Sequence, residues 1–316
     1  MSTRVAVIGG GQNCEHDVSL ASAAAVRGAL DPAKYEPVPL TIRHDGIWLG
    51  PESQPLADTK SASLAAALEI LGTCALAIPL VHGPRGEDGT LAALCDLAGI
   101  PCVGSPLRAG ALAMDKWATK LVAEAVGVLT APGQLVTAPG TVVFDGPVVV
   151  KPVAAGSSFG VQLVDRVVDL EPAVRAALEL DDRVLVEQVV RGREIDVAVL
   201  DGPDGRQVAP PLEILVSEGL FDTETKYDGS ASFVLPAELT PSESKELTEA
   251  ALLVYDALGC RGVARVDFFL TAEGPVLNEV NTMPGMTAAS QVPKMFAAAG
   301  LSYSDFLDRL IHSAVR

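Results

Sequence analysis

Short apolar runs alternate with amphipathic stretches through the first third of the chain. Val5-Ala6-Val7-Ile8 is continuous and largely β-branched, as in a strand covered on both faces, and it runs into Gly9-Gly10-Gly11. Residues 18–30 read as a helix that ends at Asp31-Pro32. Residues 35–42 and 46–49 read as short strands, 61–71 as an alanine-rich helix, and 74–80 as a buried strand. A helix over 90–99 and a short strand over 100–103 follow. Strands alternating with helices predict a sheet covered on both sides, so residues 1–104 read as a small doubly wound α/β domain.

Beyond it the pattern changes. Residues 105–127 are largely helical, 130–136 and 147–152 are strand-like, and the small-residue loop 154–160 leads into a strand over 161–164. A helix over 170–180 precedes strands over 183–190 and 195–200, with a charged turn between them. After a strand over 212–216, residues 217–233 are long, polar and irregular, as lids and binding loops tend to be. Residues 242–258 form an amphipathic helix after Thr240-Pro241, with Ser242 as its expected N-cap. Residues 265–270 and 275–281 read as a β-hairpin around Ala272-Glu273-Gly274, and helices over 288–299 and 302–311 close the chain.

The hairpin carries the densest chemistry. Asp267 lies on its first strand, and Glu279 and Asn281 lie two apart on its second, on one face. Hard oxygen donors without His or Cys suit Mg²⁺ or Mn²⁺ rather than zinc. Ordinary surface acids on an exposed hairpin are the plainer alternative, but Arg265 precedes the first acid and a Pro-Gly loop follows the last. Other positions also divide between two readings. Glu15, at a helix start, complements the helix dipole or receives an ammonium group. His82, in a glycine-rich loop after a buried strand, is a satisfied histidine or a ligand contact. Gly156-Ser157-Ser158-Phe159-Gly160 is a flexible turn or a phosphate-covering loop, and it lacks the G-K-[ST] ending of a P-loop. Lys151 ends a buried strand and must reach an anion or solvent. Backbone groups from Glu187 to Val190 could meet a purine and Glu194 a ribose, or these acids are exposed strand-end charges.

Composition narrows the classes. The chain has 316 residues, 49% hydrophobic and 20% charged, enough for two or three domains. Its net charge is −17, and no Lys/Arg block suggests nucleic acid as a partner. No apolar run is long enough to span a bilayer, and the N-terminus does not read as a signal peptide. Five scattered cysteines without a C-x-x-C pair suit reduced thiols and a cytoplasmic location.

Taken in order, these pieces closely resemble the D-alanine–D-alanine ligases of the ATP-grasp superfamily over essentially the full length. The matching motifs are Gly-Gly-x-x-x-Glu15-His16-x-Val18-Ser19, His82-Gly-x-x-Gly86-Glu87-Asp88-Gly89, Met114-Asp115-Lys116, Lys151-Pro152 with Gly156-Ser157-Ser158-x-Gly160, Lys226-Tyr227, Arg265-Val-Asp267, and Glu279-Val-Asn281-Thr-x-Pro284-Gly285. The resemblance implies three domains: 1–104 for the first substrate, a central unit over 105–187, and a catalytic unit over 188–316, with ATP held between the last two. It implies that ATP phosphorylates a first D-alanine and that the amine of a second attacks the acyl phosphate. Lys116, Lys151, Ser158, Glu187, Val190 and Glu194 would bind the nucleotide. Asp267, Glu279 and Asn281 would hold two Mg²⁺ or Mn²⁺ ions. Glu15 would anchor the first ammonium, with His82 near that substrate's carboxylate. Arg265 and the Gly285 N–H would stabilise the oxyanion. Lys226 and Ser290 would bind the second substrate's carboxylate, and Ser157, Tyr227 and Glu15 would link the lid to the first subsite. A homodimer is expected.

Three positions depart from the family's pattern. Gly9 replaces a common aromatic residue, a packing change expected to be tolerated. Met283 replaces a common Ser. Gln291 stands where Leu is usual, near the second substrate's side chain, and a polar group there raises D-serine or D-lactate as acceptors. Lys226-Tyr227 argues for an amino-acid acceptor. An inactive nucleotide-binding relative is a further alternative, though the metal carboxylates and Arg265 are all present.

Overall fold

The N-terminal strands place their odd and even residues against different partners. β1 (Thr3–Gly10) is followed by α1 (His16–Ala29), β2 (Tyr35–Ile42), β3 (Trp48–Leu49), α2 (Lys60–Leu71), β4 (Leu76–Pro79) and α3 (Thr90–Leu97). The sheet order is β3-β2-β1-β4, with β1 parallel to both neighbours. Val5 and Val7 share a core with Ala23 and Val26 of α1, whereas Ala6 and Ile8 pack with Ala67 and Leu71 of α2 and Leu91 of α3. This is the doubly wound arrangement expected. The computed structural model describes residues 2–140, 142–202, 205–215 and 232–314. Most of the expected lid, with Lys226 and Tyr227, lies outside the described residues.

One expectation changes here. Residues 100–103 form a single bridge, Ala77 to Cys102, rather than a strand. The Ala77 N–H donates to the Pro101 carbonyl and the Val103 N–H to the Ala77 carbonyl, and Pro101 has no N–H with which to extend the ladder. At Gly9 the fold leaves no room for a side chain, since a Cβ there would lie 2.7 Å from the Ala23 Cβ. Helix α1 sits directly on that glycine.

The chain continues through α4 (Leu107–Met114), α5 (Lys116–Ala125), β5 (Leu129–Thr130), β6 (Gly133–Val136), β7 (Val148–Pro152), β8 (Gln162–Val164), α6 (Val167–Leu178) and β9 (Val184–Gln188). Strands β6-β9-β7-β8 form an antiparallel sheet covered by α6. The predicted strand over 130–136 is broken at Ala131-Pro132, and its halves join different sheets. As a result α4, α5 and β5, read from sequence with the central unit, share a core with the C-terminal sheet instead.

That larger sheet contains β10 (Arg193–Gly202), β11 (Gly205–Val208), β12 (Leu212–Leu215), β13 (Ser232–Val234), β14 (Val263–Thr271) and β15 (Gly274–Asn281). The order is β13-β12-β10-β14-β15-β5, with β11 paired to β10. Helix α7 (Pro241–Leu258) packs on one face; α8 (Gln291–Ala298) and α9 (Tyr303–Ala314) pack on the other, where α9 also meets α1. The N-cap of α7 is Thr240 rather than Ser242. Its hydroxyl accepts the Glu243 N–H, and the Glu243 carboxylate accepts the Thr240 N–H at 2.7 Å, a capping box that puts Pro241 in the first turn.

Candidate active site

A cleft of about 610 Å³ opens between the β6–β9–β7–β8 sheet and the large sheet, a size suited to a small-molecule ligand. Val149, Leu163, Phe269 and Leu277 supply apolar walls. Lys116, Lys151, Ser158, Glu187, Val190 and Glu194, the residues expected to bind the nucleotide, all line this one cavity.

Glu187 enters the cleft through its side chain. Its backbone lies between β6 and β7, paired with Gly133 and Val149. The Gln188 and Val189 amides donate to the carbonyls of Pro132 and Pro147. Val190 is the residue of this run whose N–H has no partner among the described residues. The buried Glu187 carboxylate is gripped on Oε2 by Lys151 and on Oε1 by Lys120, the latter at 2.6 Å. Burial alone would raise its pKa, but Lys151 and Lys120 together hold it below the ordinary carboxylate range. Lys151 therefore does meet an anion, with Asn278 Oδ1 a further 3.4 Å contact. Lys120 was missed in the sequence. It lies one helical turn beyond Lys116 on α5, and that Lys-x-x-x-Lys spacing was the available signal.

The hairpin brings its polar residues to one face by register. Asp267 pairs with Glu279, and Arg265 with Asn281. A bulge between Asp267 and Phe268 leaves Asn278 unpaired, so Asn278 and Glu279 both reach the cleft despite being consecutive. Arg265 Nε and Nη2 each donate to Asp267 at 2.7 Å, and Nη1 donates to Gln291 Oε1 at 2.6 Å. Asp196, across the ladder on β10, lies 3.4 Å from Arg265 Nε. Burial opposes the guanidinium charge, yet Asp267 and Asp196 hold its pKa well above the ordinary value. Asn281 Nδ2 donates to Asp267 at 3.0 Å, which leaves its Oδ1 as a donor oxygen for a cation. Lys116 lies 3.4 Å from Glu279 and donates to the Ala155 carbonyl of the Gly/Ser loop. Asp267 Oδ2 already accepts from both Arg265 and Asn281, so Oδ1 is its oxygen with a lone pair to spare; with the Glu279 carboxylate and Asn281 Oδ1 this makes an oxygen-only set of the kind a hard divalent cation takes.

At the other end, Glu15 is buried at the start of α1. Its Oε1 accepts the Ser157 hydroxyl at 2.5 Å, and its Oε2 has no partner among the described residues. Gly83 and Gly156 close on that oxygen; a Cβ at either would lie 2.3 or 2.4 Å from it. Ser157 and Ser158 both adopt the left-handed conformation (φ 50° and 57°), which non-glycine residues seldom take. The loop that bears them is thus bent towards Glu15 at some cost.

The histidine and its neighbours act as fasteners. His82 Nδ1 donates to the Met283 carbonyl at 2.8 Å. Its Nε2 then accepts from Ser22 Oγ at 2.8 Å, and Ser22 Oγ accepts the Met286 N–H. Burial lowers the His82 pKa against the pull of Glu15, which matches the neutral ring these bonds require. Both ring nitrogens have partners here, and His82 ties the loop after β15 to the N-terminal domain. Glu87 does similar work, accepting from Gly83 N at 2.7 Å and from Met283 N at 3.1 Å. Burial, then Glu15, pushes the Glu87 pKa up to about 7. In the fastened loop the Gly285 N–H has no acceptor among the described residues. Ser290, the N-cap of α8, shares its hydroxyl with Thr287 at 2.8 Å. Met283 serves through its backbone and buries its side chain.

Comparison with known proteins agrees with this geometry. The family models described as D-ala D-ala ligase N-terminus and D-ala D-ala ligase C-terminus match residues 4–105 and 137–312. The D-alanine–D-alanine ligase of Nocardia farcinica is 40% identical, covering 99% of this chain and 97% of that protein. The ligase of that name from Mycolicibacterium smegmatis is 38% identical, covering 99% and 95%. Among solved structures, the VanG D-Ala:D-Ser ligase of Enterococcus faecalis superposes with a TM-score of 0.83 at 33% identity, covering all of both chains. The Bacillus anthracis D-alanine–D-alanine ligase complexed with ATP gives a TM-score of 0.83 at 30% identity, covering 100% of this chain and 98% of that one. With its ATP-grasp fold, the chain belongs to the D-alanine–D-alanine ligase family.

Proposed function

We propose that this protein joins two D-alanines at the expense of ATP, giving D-alanyl-D-alanine, ADP and phosphate, as a step in peptidoglycan precursor synthesis in the cytoplasm. The supporting observation is the hairpin face. Arg265, Asp267 and Glu279 line a nucleotide-sized cleft together, with Asn281 hydrogen-bonded to Asp267 beside them. Among the described residues, no helix is long and apolar enough to cross a membrane. A homodimer is part of the proposal.

The adenine lies between the apolar walls near Val190, with Glu194 at the ribose. Lys116, Lys151 and the Ser158 loop take the phosphates. Asp267, Glu279 and Asn281 would hold two Mg²⁺ or Mn²⁺ ions, which supply charge neutralisation at the β- and γ-phosphates when bound. Glu15 Oε2 receives the first D-alanine's ammonium in the space framed by Gly83 and Gly156. The first carboxylate attacks the γ-phosphorus, forming a C–O–P linkage and releasing ADP. The second amine then attacks the acyl carbon, a C–N bond forms, the C–O bond to phosphate breaks, and the amine loses a proton. Arg265 and the Gly285 N–H meet the oxyanion between these events, where one such donor contributes about 3–4 kcal/mol. Water must be excluded while the acyl phosphate exists, the work assigned to residues 217–233. Lys226 and Ser290 would take the second carboxylate. Tyr227, with Ser157 and Glu15, would tie the cover to the first subsite.

Phosphate release from ATP tests this reading with D-alanine, L-alanine, D-serine and D-lactate as substrates. Release with D-alanine, and dipeptide in the product, is expected. Release with none of them would replace the ligase with a nucleotide-binding scaffold. Preference for D-serine or D-lactate as second substrate would move the protein to a related ligase activity.

A further inference from the structure

Gln291 is the first residue of α8, and the fold shows where its polar group goes. Arg265 carries five N–H donors in a rigid plane. Nε and Nη2 are taken by the two oxygens of Asp267, and one Nη1 donor by Gln291 Oε1 at 2.6 Å. Arginine only donates, so the amide atom facing it must be the oxygen. Asp267 grips one edge of the guanidinium through two parallel bonds and Asp196 lies 3.4 Å from the same Nε, so the far corner, Nη1, is the part these carboxylates leave unheld. Gln291, the first residue of α8, holds that corner. Leucine at this position offers no acceptor.

We propose that Gln291 is a positioning residue for Arg265. It aims the guanidinium at the oxyanion and couples α8, whose N-cap is Ser290, to the β14–β15 hairpin. The inference rests on the oxyanion role given to Arg265 above. It also changes what the polar residue means for selectivity. The Gln291 oxygen is spent on Arg265, so this bond is expected to set rate, and the D-serine to D-alanine ratio tests whether the Nε2 donors touch the acceptor.

The test is steady-state kinetics of Gln291→Leu and Gln291→Glu, each with D-alanine and D-serine as second substrate. Gln291→Leu is expected to lower kcat about tenfold with either acceptor, as loss of a supporting hydrogen bond typically does. KM for ATP and for the second D-alanine should stay within about twofold. Gln291→Glu keeps an acceptor oxygen and should retain kcat within about threefold. In an Arg265→Lys background, which loses the planar fork, Gln291→Leu should cost less than twofold, a non-additivity that a purely structural role would not produce. An unchanged kcat in Gln291→Leu overturns the proposal. So does a shifted D-serine to D-alanine ratio at intact kcat, which would make Gln291 a substrate contact, and so does full additivity with Arg265→Lys. Wild-type protein that turns over no D-alanine overturns the ligase reading itself, an outcome seen before any variant is made.

Discussion

In the nucleotide cleft, charge is held by charge. Lys120 and Lys151 grip Glu187, Lys116 faces Glu279, and Arg265 grips Asp267. At the amino-acid end the contacts are hydrogen bonds between segments remote in sequence. Ser157 reaches Glu15 across 142 residues, His82 reaches Met283 across 201, and Met286 reaches Ser22 across 264. The first region is a prebuilt electrostatic box, able to take an anion despite a net charge of −17. The second exists only when three parts of the chain are docked. Altering charge should therefore break the cleft even when shape is kept. The amino-acid end should be sensitive to loss of single donors and acceptors.

The largest effect is expected from Glu279→Gln, which keeps shape and removes one charge from the hairpin face. Phosphate-release kinetics should show kcat down about 10²- to 10³-fold, with KM for D-alanine within about twofold. A proportionate rise in the D-alanine KM would mean that the two regions are not separable as drawn.

Next comes the lysine pair, which separates binding from folding inside the cleft itself. Lys120 is 4% exposed and faces Glu187 and the Ala131 carbonyl, whereas Lys151 also lines the cavity. Lys120→Met should cost about 3 kcal/mol of stability in urea unfolding, because it strands part of a buried carboxylate charge. Adding Glu187→Gln should recover much of that loss. Lys151→Met should weaken ATP binding in calorimetry more than Lys120→Met does. Equal effects of both lysines on ATP would remove the distinction between wall and contact.

How far the sequence revealed these regions follows the same division. The hairpin was legible because its signal is local: alternation, a Glu-Gly turn, and two polar residues two apart. Its register put Asp267 opposite Glu279 as alternation requires. The bulge that brings Asn278 into the cleft was not legible, since no local residue choice marks it. Lys120 was hidden because a lysine on an amphipathic helix usually faces water. His82 and Glu87 stood in a recognisable motif, and the Gly83–Glu87 bond is local to it, but the partners Met283 and Ser22 are fixed only by docking. The break at Pro132, which sends β5 and β6 to different sheets, had a local signal, because a proline in a strand pattern has no N–H to donate to a ladder.

The smallest expected effect concerns Glu87, which belongs to the hydrogen-bonded region yet carries a titratable charge. Burial, and then the nearby Glu15 charge, lifts its pKa to about 7, against the opposing Gly83 and Met283 amides and Arg265. An unfolded glutamate titrates near ~4.3. Between those values the native protein binds more protons than the unfolded chain, so this group's contribution to stability falls as pH rises through the window. Below the unfolded value both states are protonated and the contribution is constant. Above about 7 the loss is complete. Glu87→Gln cannot titrate and keeps one acceptor oxygen for the two amides. Urea midpoints at pH 5 and pH 8 should therefore shift in the variant's favour with rising pH, by on the order of 1–2 kcal/mol. ATP affinity should be unchanged, because neither amide that Glu87 holds lines the nucleotide cavity. Parallel stability profiles for the two proteins would show that Glu87 stays an ordinary carboxylate. A weakened ATP site would show that the fastened loop reaches further into the cleft than its hydrogen bonds indicate.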